Sequence, residues 1–69
     1  MSDPTTDNLH DLFIFSSRMF LRAPTEVGMH RMTNHYARFH VAFVGSDDGL
    51  SEEVAKIEAS ARSVMAGAH

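Results

Sequence analysis

Three histidines recur at five-residue steps, His30, His35 and His40. Helical metal sites place two imidazoles at i and i+4, which brings both to one face. A step of five turns about 140° around a helix, so these three diverge. On a strand, an odd step also sends neighbours to opposite faces. The spacing therefore predicts solvated or locally hydrogen-bonded histidines, with no metal and no other cofactor. Protonating all five histidines of the chain would move its net charge from -3 to +2, but five ordinary polar side chains are the simpler reading than a pH switch.

Arg31, Asn34, His35 and Arg38 would share one polar face if this stretch is helical. Arginine and asparagine are the side chains that contact guanine and adenine edges in a major groove. A short helix–turn–helix joint precedes them, which admits a recognition helix. Against that stands the acidic chain, since nucleic-acid binders show a basic excess. The competing account is a solvated face that pairs with acids of the last helix. Asp47, Asp48, Glu52, Glu53 and Glu58 form an acidic stretch. Its first four residues are an expected partner-binding patch for a basic groove, because a loop and a helix start are well placed for contacts. They also suit the positive end of a helix dipole.

Enzyme chemistry lacks its parts. There is no glycine-rich phosphate loop, no nucleophile elbow and no cysteine. Ser16 and Ser17 fall within a helix and read as packing or back-bonding hydroxyls rather than nucleophiles. A chain of 69 residues has little room for a preorganised pocket and its supporting shell.

The elements that would position these groups follow from periodicity. Residues 1–7 read as a flexible lead-in and 8–67 as one helical domain. Asp7 or Asn8 can cap a first helix running to Arg22, with Leu9, Leu12, Phe13, Ser16, Met19 and Phe20 on one face. Asp11 lies near its start and Arg18 and Arg22 near its end, as the dipole prefers. Ala23-Pro24 ends it, and Pro24 suits the first position of a second helix running to Val44. Met29, Met32, Tyr36, Phe39 and Phe43 alternate by three and four, an apolar seam expected in the core. Gly45 is a left-handed stop. Ser46 to Gly49 is a turn, Ser51 caps a third helix and Leu50 staples it. Val54, Ile57, Ala61 and Val64 form its apolar stripe, and Gly67 ends it. The fold class is thus all-α, three helices, short–long–short. The alternative is an α-β-β-α chain with a central hairpin, since residues 39–43 alternate in strand fashion.

Charge is unevenly spread. The first fifteen residues carry Asp3, Asp7 and Asp11 and no base, the middle carries four arginines against Glu26, and the last third is acidic again. The absence of cysteine excludes disulfides and fits a reducing compartment. The longest apolar run is residues 12–15, so no membrane span is expected; with an acidic N-terminus unlike a signal peptide, the expected location is cytoplasmic. Small domains need a staple or a partner. Ile14, Phe15, Leu21, Val41 and Val44 fall off the core seams and are the expected apolar interface, most simply that of a homodimer. The expected function is a non-enzymatic protein-interaction module. It would be a small accessory inhibitor, of the kind phage and mobile elements encode, that occludes a site on a larger host protein. The alternative is a small dimeric DNA-binding regulator.

Overall fold

A computed structural model describes residues 4–67. They form three helices, α1 (Pro4–Arg22), α2 (Glu26–Val44) and α3 (Leu50–Gly67), and no strand occurs among them. The fold is all-α, and the stretch that could read as a hairpin is one continuous helix. The lengths are nearly equal, 19, 19 and 18 residues, rather than short–long–short. α1 starts at Pro4, so Asp7 lies in its first turn instead of capping it. Proline suits a first helical position because it has no N–H to leave unbonded. Of the expected lead-in, residues 1–3 lie outside the described residues and 4–7 belong to α1.

The joint between α1 and α2, residues 23–25, is longer than a proline start would make it. Thr25, not Pro24, opens α2: its backbone is extended and its hydroxyl accepts the Gly28 N–H at 3.0 Å. Gly28 lies close to α1 and to its own cap. A Cβ there would lie 3.2 Å from the Thr25 hydroxyl and 3.4 Å from the Phe20 ring. α2 ends as expected at Gly45, in the left-handed region with φ 86°, and the Gly45 N–H reaches the Val41 carbonyl at 2.9 Å. Gly49 takes φ 75° in the next turn and its carbonyl accepts the Glu53 N–H. α3 therefore starts at Leu50, one residue before Ser51, which is inside the helix rather than at its cap.

α2 is the central helix, packed by α1 on one side and α3 on the other. The buried core is small. Phe20 of α1, Met29 and Met32 of α2, and Ala61 of α3 are its apolar members, with Phe13, Ile57 and Met65 packed around them. Ala61 has no bulk to hold α3 away. Arg62 donates to Glu26 across α2 and α3 at 2.8 Å, an exposed pair worth at most about 1 kcal/mol. Above this core α1 and α3 leave a gap over α2. A cleft of about 180 Å³ remains between Phe20, Leu21 and Met32 on one side and Ile57, Ala61 and Val64 on the other.

The molecule is elongated, 43 × 21 × 16 Å, with a radius of gyration of 12.4 Å. A compact domain of this length would have about 11 Å. Its accessible surface is 4882 Å², where a compact monomer of this mass exposes about 4300 Å². No helix among the described residues is long and apolar enough to cross a membrane.

Candidate functional site

The seam of α2 divides. Met29 and Met32 are buried, Tyr36 and Phe39 are half-buried, and Phe43 is 71% exposed. The expectation that the whole seam lies in the core fails at its C-terminal end, because neither flanking helix covers the last turn of α2. The rings there form a ladder instead. Phe13 meets Tyr36 edge-on at 5.2 Å, His10 meets Phe39 at 5.1 Å, and Phe43 stacks on Phe39 at 5.5 Å. Offset and edge-on geometry is what ring quadrupoles prefer.

The three spaced histidines diverge, as their step requires. His30 is exposed and lies 3.4 Å from Glu26. His35 is half-buried, with its Nδ1 enclosed and without a hydrogen-bond partner among the described residues. His40 is buried and works as a bolt. Its Nε2 lies 2.8 Å from the Asp48 carbonyl and its Nδ1 lies 3.2 Å from the Tyr36 hydroxyl. A carbonyl only accepts, so Nε2–H donates to Asp48, and in that neutral tautomer Nδ1 would accept from Tyr36. The ring thereby fixes the α2–α3 turn to the body of α2. Among the described residues no cluster of histidines and carboxylates could hold a metal ion. Ser17 donates to the Phe13 carbonyl at 2.9 Å, a back-bonding hydroxyl as its place in the helix suggests.

Burial holds the Tyr36 phenol above its ordinary value, and the Glu53 carboxylate raises it further against an opposing effect of Lys56. A raised folded-state value means that this stabilisation is complete below the unfolded value, about 10, and is lost as pH rises through the folded one. The expected result is a lower urea midpoint at about pH 11 than at about pH 8, by a margin that shrinks in Tyr36→Phe. Equal pH sensitivity in the two proteins would remove Tyr36 as its source.

Arg31, Asn34 and Arg38 are exposed on the outer face of α2, and His35 turns from that face towards α1. Among the described residues neither Arg31 nor Arg38 makes an ion pair, so the expected pairing with acids of α3 does not form. The α3 cation Arg62 takes Glu26 instead. Asp47, Asp48, Glu52 and Glu53 sit together in the α2–α3 turn and the first turn of α3. Only Glu53 of these is in a side-chain ion pair among the described residues, with Lys56 at 3.5 Å.

All five expected interface residues are exposed, but they do not form one patch. Phe15 lies on the outer side of α1 beside a groove of about 490 Å³ that α1 forms with Val27, Gly28, Arg31 and His35 of α2. Leu21 borders the cleft towards α3, and Ile14 shares that side of α1 by helical phase. Val41 lies with Ala37, Ala42, Leu9 and Leu50 over the outer face of α2, and Val44 is at its end. Sequence periodicity did not single out Phe43, because its seam position is apolar and only the reach of the neighbouring helices decides its exposure. The chain matches no protein family, no curated protein and no solved structure.

Proposed function

We propose that this chain is a non-enzymatic protein-interaction module that docks through the end of the bundle where α2 turns into α3. The observation that carries this reading is the 71% exposure of Phe43. An aromatic ring held in the open by stacking on Phe39 is a prepared anchor, and aromatic anchors dominate binding energy at protein contacts. Val44 adjoins it, and Asp47, Asp48 and Glu52 follow at the same end, with carboxylates that make no ion pair among the described residues. An apolar centre with an acidic rim fits a basic groove on a larger protein, and a module of this size would act there by occlusion, as a small inhibitor does. The acidic rim would set the rate of encounter more than the final affinity.

The test compares capture from source-cell lysate by the wild-type chain and by Phe43→Ser, after nuclease treatment. The substitution is expected to change stability by no more than about 0.5 kcal/mol, because the ring is largely in water. Loss of the captured protein, corresponding to about 30-fold weaker binding, supports the reading. Undiminished capture would overturn it. A second reading, a small DNA-binding regulator, is favoured by one observation: Arg31 and Arg38 face solvent without carboxylate partners among the described residues. Captured material that disappears with nuclease would support that reading in place of the first.

A further inference from the structure

α1 carries two seams. The inner one, Leu9, Phe13, Ser16 and Phe20, faces α2, and the outer one lines the groove with Val27, Arg31 and His35 of α2 but stays open to solvent among the described residues. Leu12, Phe15 and Met19 are 44%, 63% and 48% exposed, and with Asn8 and Arg22 they repeat in steps of four and three. That is the spacing of a helix that packs lengthwise against another.

The charges beside this outer seam are ordered. Asp7, Asp11, Arg18 and Arg22 all lie within about 60° of one another around α1. None of them makes an ion pair among the described residues. Like charges fall one turn apart, acids towards the N-terminus and bases towards the C-terminus. Asp11 lies four residues before Phe15 and Arg18 three residues after it. Asp7 lies eight before and Arg22 seven after. Reversing the helix about Phe15 therefore brings Asp11 level with Arg18, and Asp7 level with Arg22, to within about 1.5 Å along the axis. A two-fold axis that relates antiparallel helices side by side keeps each flank facing the same flank of its mate. The charged flank of one copy thus meets its own opposite in the other.

We infer that the outer seam of α1 is covered by α1 of a second copy, antiparallel, with Phe15 at the two-fold axis and Arg18 and Arg22 paired to Asp11 and Asp7 across it. This deepens the interaction-module reading by naming a partner for a different face from the Phe43 end. Three apolar residues per copy make a small contact, and the expected dissociation constant is of micromolar order, about 1–100 μM. Such a dimer leaves both Phe43 ends free at opposite poles, so the assembly is bivalent.

The test uses two variants and the purified full chain. Arg18→Glu/Arg22→Glu makes the flank wholly acidic, and Asp7→Arg/Asp11→Arg makes it wholly basic. Sedimentation equilibrium is expected to show a wild-type dimer, each variant alone as a monomer, and their mixture as a dimer. Both variants also oppose the helix dipole, but mixing two chains does not repair a dipole, so recovery on mixing is specific to the contact. Should either variant fail to show a helical spectrum, Phe15→Ser is the substitute, because the ring is exposed and its loss should abolish dimerisation with the fold retained. Wild-type chain that stays monomeric up to about 1 mM, variants that dimerise alone, a mixture that stays monomeric, or a folded Phe15→Ser that still dimerises would each overturn the inference. Each outcome is read without any second protein, so failure here leaves the capture experiment with Phe43 to stand or fall separately.

Discussion

Met29→Ala is expected to lower the stability of this chain by about 2–5 kcal/mol, the largest effect of any single truncation on α2. Among the described residues Met29 is the one large side chain with no exposure at all. A domain of this size has only roughly 3–10 kcal/mol in hand. The substitution removes apolar atoms from the junction of all three helices, between Phe20, Met32 and Ala61. How much is lost depends on whether the site can collapse. A fall in melting temperature of at least about 10 °C should follow for so small a domain. Thermal unfolding followed by circular dichroism checks it. A loss below about 1 kcal/mol would show that the fold is held elsewhere than at this junction.

His40→Leu is expected to cost about 2 kcal/mol, concentrated at one end of the molecule. The volume change is modest, so the effect comes from polar groups. The Asp48 carbonyl loses the Nε2–H at 2.8 Å and the Tyr36 hydroxyl loses its acceptor at 3.2 Å. The turn held by this ring presents Gly49 and the amides of Leu50 and Glu53, whose hydrogen bonds form the entry to α3. Hydrogen exchange should therefore accelerate at Leu50 and Glu53 far more than at Met29 or Met32. Uniform acceleration along the chain would mean that His40 contributes to global packing and not to anchoring the turn. Because the same turn carries Asp47, Asp48 and Glu52, this substitution should also weaken partner capture without touching Phe43.

Much of the architecture was legible in residue order. Glycine at 45 and the acidic turn before residue 50 stop and restart helices for local reasons, and the structure places both breaks there. The divergence of His30, His35 and His40 likewise follows from helical pitch alone. Local rules misplaced starts by a few residues. Asp7 and Ser51 are good capping types, yet Pro4 and the turn at Gly49 precede them and the helices begin earlier. Thr25 overrides Pro24 because its hydroxyl satisfies the Gly28 N–H.

The sequence by itself determined that the chain has more apolar surface than one small core can hold and favoured three amphipathic helices, since periodicity and composition are properties of the chain; that residues 27–44 are one helix and not a hairpin was decided by the structure. Only the tertiary structure decided which apolar residues remain outside. Met29 and Phe43 occupy equivalent positions in one seam, but α1 and α3 converge over the first and splay away from the second. Arg31 and Arg38 could have paired with α3, but they face away from it. Such outcomes depend on crossing geometry and helix reach, which arise when helices meet and which no residue encodes alone.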